Sequence, residues 1–135
     1  MSVAFGEGAE VVRPVKPDTI AKSLAIGNPA DGPYALDAVR RTNGAIADVS
    51  DEEVVEGIRL LAETEGIFAE TAGGVTVAVT RKLLREGKLD PAKETVIVNT
   101  GEGLKTLDVI STGSGFSATI APSVDSVADV IAKGK

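Results

Sequence analysis

Apolar residues recur at helical spacing in the middle of the chain. The positions lie one, three or four residues apart, as on one face of a helix: Val54, Val55, Ile58, Leu61 and Ala62. Ser50 stands three residues before Glu53, which is the spacing of a capping box, and Gly66 is the predicted end. This stretch therefore predicts a helix with both ends defined by sequence.

Weaker signals predict four more helices. In chain order, these are expected from Asp18 as N-cap to a stop at Gly27, from about Tyr34 to Arg41, from after Gly73 and Gly74 to near Gly87, and from near Ser123 onward. Residues 111–117 are small and polar and are expected to be irregular. The helices are thus spread along the whole chain.

Short apolar segments between these helices predict strands. Residues 45–49 (AIADV) and 94–99 (ETVIVN) have this character, the second being typical of a buried strand, and Val11 and Val12 could end a third. Alternating strands and helices indicate an α/β layer with a mainly parallel sheet. Three strands are few for an independent sheet, since their edges would be unpaired. We therefore expect residues 1–135 to form one α/β unit of a larger sheet.

Composition excludes several kinds of chemistry. The 135 residues include no cysteine and no histidine, which excludes disulfides, thiolate nucleophiles, Ser-His-Asp triads and Cys/His metal sites. A net charge of −6 and 3% aromatic residues argue against nucleic acid and anionic membranes as partners. There is no long apolar run and no signal-peptide pattern. We expect a cytoplasmic protein without a metal site.

Two glycine-containing loops are candidates for ligand contact. Loop 100–103 (TGEG) follows a predicted strand, and ligands of open α/β sheets bind at such strand ends. Segment 70–74 (ETAGG) could present the free N–H groups of a helix start to an anion or a ring. A plain strand-to-helix turn and a tightly packed connection are the respective alternatives. Asn28 is more typical of a turn than of a binding site.

At these loops the sequence resembles the threonine synthases, pyridoxal phosphate enzymes of fold type II. Three stretches carry the resemblance, in matching order: residues 19–29 (TIAKSLAIGNP), 66–75 (GIFAETAGGV) and 99–106 (NTGEGLKT). The resemblance implies a partial three-layer parallel-sheet domain, namely the C-terminal part of the large cofactor-binding domain. The family reaction converts O-phosphohomoserine and water to threonine and phosphate. The Schiff-base lysine segment and the phosphate-binding loop of the family have no counterpart in this sequence.

The resemblance also implies roles for individual residues. Thr100 matches the hydroxyl that faces the pyridine nitrogen of pyridoxal phosphate, and Gly101 would let the loop pass near the ring. Four further residues would line the pocket or contact the amino-acid substrate: Ile26, Gly27, Asn28 and Glu70. Two departures stand out, because residues 71–74 (TAGG) replace the commoner PASA and Thr106 replaces a usual aspartate.

Two functional hypotheses stay open. In the first, the chain is a C-terminal fragment or subunit of a threonine synthase-like enzyme, inactive alone and partnered by an N-terminal half or a full-length enzyme. In the second, it is a free-standing binding or regulatory module, monomeric or a homodimer, for an amino acid or phosphate. A fragment should expose a large apolar face, whereas an adapted module should cover it.

Overall fold

The computed structural model describes residues 1–110 and 119–133, and this part of the chain is helical. Its α-helices are α1 (Ser2–Gly6), α2 (Gly32–Arg41), α3 (Asp51–Glu65), α4 (Thr71–Arg85) and α5 (Val124–Lys133). Two 3-10 helices span Lys22–Leu24 and Gly103–Val109. The expected irregular tail, residues 111–117, lies outside the described residues. The predicted helices over 34–41, 50–66 and from Ser123 are therefore confirmed.

Helix α3 has both of the ends that the sequence predicts. The Glu53 N–H donates to Ser50 Oγ at 3.3 Å, and the Ser50 N–H donates to Glu53 Oε2 at 2.8 Å. At the other end Gly66 has φ 67°, a left-handed conformation that suits glycine, and its N–H donates to the Ala62 carbonyl oxygen. Local hydrogen bonding therefore fixes the length of this helix.

Helices α3 and α4 form the main packed pair, and glycines bring their backbones together. A Cβ on Gly57 would lie 2.5 Å from the Gly74 carbonyl oxygen, and one on Gly74 would lie 2.6 Å from Ile58 Cγ1. The sequence predicts that α4 begins after Gly74, and this is wrong, since the helix begins at Thr71. Close packing on α3 outweighs the low helix propensity of Gly73 and Gly74.

A second, smaller core joins α1 to α2. Ala4, Val12 and Leu36 are its buried members, and Phe5, Ala9 and Ile46 pack against them. Arg40 closes this core from the solvent side. Its Nη2 donates to the Ala9 carbonyl oxygen at 2.7 Å, and its guanidinium carbon lies 5.8 Å from the centre of the Phe5 ring. The amino-terminal helix is thereby fixed to α2.

The helix predicted from Asp18 is absent, and only the 3-10 helix Lys22–Leu24 forms there. Asp18 is exposed and does not act as a cap. Instead, Asp51 Oδ1 accepts hydrogen bonds from Thr19 Oγ1 at 2.7 Å and from the Ile20 N–H at 3.2 Å. The first residue of α3 therefore fixes this segment in an irregular conformation.

The predicted strands do not form in the described part of the chain. Residues 11–12, 45–49 and 94–99 have no strand conformation, and the β pairing that is present is one isolated antiparallel bridge between Ala69 and Glu102. The Asp48 carbonyl oxygen accepts a hydrogen bond from Lys82 Nζ at 2.7 Å. In a sheet, the N–H of a neighbouring strand would donate this bond. Residues 94–99 are exposed rather than buried. The predicted parallel sheet is therefore not seen within residues 1–110 and 119–133.

Across the described ranges, the helices are too short or too polar for any of them to cross a membrane.

Candidate functional site

The start of α4 brings together the two loops that the sequence marks as candidates. The Glu70 N–H donates to the Gly101 carbonyl oxygen at 3.1 Å, and the Gly103 N–H donates to the Phe68 carbonyl oxygen at 2.9 Å. These two bonds flank the bridge between Ala69 and Glu102. Loop 100–103 and segment 70–74 are thus joined backbone to backbone.

Gly101 lies directly against the Glu70 side chain. A Cβ on Gly101 would overlap Oε1 of Glu70 and lie 2.8 Å from its Cγ. The Glu70 side chain has little room to move away, because the residue is only 9% exposed. Glycine is therefore required at this position for close approach to a neighbouring side chain of the same protein.

Two side chains from the second loop reach the first turn of α4. Thr106 Oγ1 accepts a hydrogen bond from the Thr71 N–H at 3.3 Å. A Cβ on Gly73 would overlap Asn99 Oδ1, so the Asn99 side chain contacts the first turn of α4 at Gly73. Sequence reasoning missed both contacts. The one available signal was the threonine at position 106 in place of the aspartate usual in the resembled family.

Thr100 has a side-chain hydroxyl that is accessible to a ligand. Its side chain is exposed, and its hydroxyl forms no hydrogen bond with any described residue. Thr71 presents the opposite case, because its hydroxyl is fully buried and also has no partner among the described residues. A free hydroxyl on a loop fixed at both sides can donate or accept one hydrogen bond with a ligand.

The remaining predicted pocket residues lie at a different place. The Gly27 carbonyl oxygen accepts a hydrogen bond from the Val15 N–H at 2.9 Å, and a Cβ on Gly27 would overlap the Val15 carbonyl oxygen. Ile26 and Gly27 line a cavity of about 440 Å³ next to the amino-terminal helix, and neither Glu70 nor Thr100 lines it. Asn28 is exposed. The structure thus shows two separate groups of predicted site residues.

Perturbed ionisation occurs away from both groups. A hydrogen bond from its own backbone N–H, and a second from the Ser50 side chain, lower the pKa of Glu52 at the start of α3. The Lys88 ammonium, 2.7 Å from Glu86 Oε2, lowers the pKa of Glu86. Within residues 1–110 and 119–133, no three acidic side chains cluster as a metal site would require. The start of α4 therefore offers hydroxyl and backbone groups and the single carboxylate of Glu70.

Comparison with known proteins identifies the family. The pyridoxal-phosphate dependent enzyme family matches residues 2–101. The chain belongs to this family. It is 45% identical over 106 residues to the threonine synthase of Methanocaldococcus jannaschii, covering 78% of this chain and 26% of that protein. It is 39% identical over 117 residues to the threonine synthase of Bacillus sp. (strain ULM1), covering 86% and 33%.

The resemblance to threonine synthases is therefore confirmed, over a limited part of those proteins. The chain spans about a quarter to a third of the length of these two relatives. Among solved structures, a fungal L-serine ammonia-lyase from Rhizomucor miehei is similar, with a TM-score of 0.53 and 24% identity. That match covers 82% of this chain and 36% of the other, and it supports the family fold.

Membership of the family implies pyridoxal phosphate as the cofactor, and the site fits one part of it. The pyridine nitrogen needs a single hydrogen-bonding group in a fixed place. The exposed Thr100 hydroxyl is a group of this kind, on a loop whose Gly101 and Gly103 are bonded to Glu70 and Phe68.

Proposed function

We propose that the chain is a part of a threonine synthase-like enzyme and presents Thr100 to the ring nitrogen of pyridoxal phosphate. In this role it acts on O-phosphohomoserine and water together with a second polypeptide segment. That segment supplies the reactive lysine and the phosphate-binding loop, and without it the chain has no turnover. The observation that carries the proposal is the exposed Thr100 hydroxyl, next to Gly101 and Gly103, whose backbones are bonded to Glu70 and Phe68.

Thr100 would set the electronic character of the cofactor. When bound, pyridoxal phosphate supplies an electron sink, and the protein supplies orientation and tuning. A neutral hydroxyl at the ring nitrogen leaves that nitrogen largely unprotonated, whereas a carboxylate there would hold it protonated. Gly101 keeps the loop in place through its carbonyl oxygen, and the buried Glu70 side chain supports it from behind.

The proposal also assigns a role to the second group of predicted site residues, Ile26, Gly27 and Asn28. They would form the wall on the substrate side once the complementary segment is present. The support is the cavity that Ile26 and Gly27 line, together with the contact of the 3-10 helix Lys22–Leu24 with α4. Helix α4 therefore touches the 3-10 helix that precedes Ile26, and its start is bonded to the loop that carries Thr100.

The exposed apolar surface favours an enzyme part over a free-standing module. Val96 is 82% exposed and Val98 is 64% exposed, in a run of three apolar residues just before Thr100. Contiguous apolar surface of this kind marks an interaction site. We propose that the complementary segment of the enzyme covers residues 95–98, beside the loop that it would complete. A symmetric homodimer is the alternative that the same surface allows.

The native assembly gives the first test. The chain is isolated at its native size from its source, and co-eluting polypeptides are identified by mass spectrometry. We expect a partner with a lysine segment and a glycine- and asparagine-rich loop, and phosphate release from O-phosphohomoserine by the complex. A chain that elutes alone, as monomer or homodimer, would contradict the enzyme-part proposal.

Variants at position 100 then test the role of the hydroxyl. In the assembled enzyme, Thr100→Ser should retain phosphate release and Thr100→Val should lose most of it. Thr80→Val is a matched control, since the Thr80 hydroxyl bonds only within α4. Equal activity of Thr100→Val and the unchanged protein would show that this hydroxyl has no part in the reaction.

A further inference from the structure

Helix α4 lacks a cap from its own N-cap residue. Glu70 occupies the N-cap position, with φ −68° and ψ 173°, but its side chain makes no capping hydrogen bond. The Glu70 carboxylate instead lies against Gly101. A helix start leaves N–H groups without partners inside the helix, and side-chain oxygens usually satisfy one of them. The Thr71 N–H is the first of these groups, and its hydrogen-bond acceptor comes from another part of the chain.

Thr106 supplies that acceptor from 35 residues further along the chain. Its backbone is suited to the task, because φ −136° and ψ 41° at Thr106 interrupt the helical geometry of Gly103–Val109. The 3-10 helix is thus broken at the residue whose hydroxyl reaches α4. Asn99, at the other end of the same loop, touches the first turn of α4 at Gly73.

We propose that Thr106 is a positioning residue: its hydroxyl caps α4 from a distance and thereby sets the position of the Thr100 hydroxyl. The loop between Asn99 and Thr106 is held at both ends by one helix turn, so movement of that turn moves Thr100. The positioning role rests on the proposed function of Thr100, whereas the capping is a property of the chain itself.

Amide hydrogen exchange of Thr71 in the chain tests the capping without any cofactor. Thr106→Val keeps the shape and removes the acceptor, and it should speed Thr71 exchange about five-fold, the factor typical of a lost helix cap. The Gly101 and Gly103 amide resonances should shift with it. Thr106→Ser keeps the hydroxyl, so its Thr71 exchange rate and its Gly101 and Gly103 resonances should match those of the unchanged protein. Thr106→Asp should slow Thr71 exchange, since a carboxylate is a stronger acceptor at a helix start.

Thr80→Val is the matched control, because it removes a threonine hydroxyl of α4 that bonds only to the Thr76 carbonyl oxygen. It should leave the exchange of Thr71 and the loop resonances unchanged. Unchanged Thr71 exchange in Thr106→Val would overturn the proposal. If that variant does not fold, unchanged exchange in Thr106→Asp would overturn it equally.

Activity of the assembled enzyme separates this inference from the proposed function. Phosphate release should fall in Thr106→Val and stay near the level of the unchanged enzyme in Thr106→Ser. The proposed role of Thr106 is to position Thr100 and not to contact the cofactor ring. If the assembled enzyme with the unchanged chain releases no phosphate, the proposed function is contradicted. The hydrogen-exchange result alone then decides whether Thr106 caps α4. Faster Thr71 exchange together with full activity in Thr106→Val would contradict the positioning role alone and leave the capping intact.

Discussion

Gly57 of α3 and Gly74 of α4 lie so close that a Cβ on Gly57 would be 2.5 Å from the Gly74 carbonyl oxygen. The obstacle is backbone on both sides, so no side-chain rotation can relieve the overlap. The two helices must separate to admit a methyl group there. The start of α4 also makes the loop contacts of Glu70 and Thr71. The helix crossing therefore helps to fix the position of the candidate site.

Gly57→Ala should therefore destabilise the protein. Forcing a methyl group into a close-packed contact typically costs about 1–3 kcal/mol, which exceeds the gain from the better helix propensity of alanine. Denaturant unfolding followed by helical circular dichroism measures the change. Gly6→Ala is the control, because Gly6 ends α1 and nothing lies within 4 Å of a Cβ there. Equal stability of both variants would contradict the crossing.

Gly101 and Glu70 should show strong coupling in a double-mutant cycle. Gly101→Ala overlaps the largely buried Glu70 side chain and should cost about 1–3 kcal/mol of unfolding free energy. Glu70→Ala removes the overlapping atoms, so the double variant should recover part of that loss. We expect a coupling of about 0.5–3 kcal/mol. The pair Gly101→Ala and Glu102→Ala is the control, since Glu102 is exposed. Additive effects at positions 70 and 101 would contradict the contact.

The segment before the first 3-10 helix is predicted from sequence to be capped by Asp18, but in the structure it is hydrogen-bonded to Asp51. Asp51→Ala removes the acceptor of Thr19 and Ile20 and should cost about 1.5–3 kcal/mol, the usual range for hydrogen bonds to a charged group. Asp18→Ala should change stability by less than about 0.5 kcal/mol, since Asp18 is exposed. Asp51→Asn keeps an acceptor and should lose less. Thermal unfolding of the three variants decides, and a larger loss in Asp18→Ala would reverse the assignment.

These residues show which parts of the fold sequence reasoning could reach. The ends of α3 were predictable, because Ser50 and Glu53 satisfy each other within three residues and Gly66 needs only its own φ of 67°. The Asp18 helix was mispredicted, because the Ile20 N–H is bonded by Asp51, 31 residues away. Local patterns carry no information about such partners.

The strands and the site show the same limit at longer range. Residues 94–99 have strand composition, but a strand requires a neighbouring backbone, and none pairs with them among the described residues. The meeting of Gly101 with Glu70 also joins distant segments. The loop motifs located the candidate site, whereas its supports, Asn99 and Thr106, became visible only through the contacts of α4.

Acid should weaken the start of α3 through Glu52. Hydrogen bonds from its own backbone N–H and from Ser50 lower the pKa of Glu52 below the ordinary 4.5. Because the folded-state pKa is the lower one, this contribution to stability is present above pH 4.5 and is lost as pH falls through the folded-state pKa. Glu52→Gln should flatten the stability profile in that window.

Carboxyl resonances measure this pKa directly. The Glu52 titration midpoint should lie below 4.5 and move upward in Ser50→Ala, which removes the second hydrogen bond. Ser23→Ala, an exposed serine of the first 3-10 helix, should leave the midpoint unchanged. A Glu52 midpoint at or above 4.5 in the unchanged protein would contradict the hydrogen-bonded start of α3.

Val96 should matter for assembly and not for the fold of the chain. Its side chain is 82% exposed, so Val96→Lys should change the unfolding free energy by less than about 0.5 kcal/mol. If the complementary segment covers residues 95–98, the same charge would be buried without a partner on assembly, which is strongly unfavourable. Tyr34→Lys is the control, since Tyr34 lies on α2 and is 77% exposed. We expect at least a ten-fold weaker complex for Val96→Lys alone, measured by sedimentation, a factor that corresponds to about 1.4 kcal/mol. Equal affinities of the two variants would place the partner on another surface.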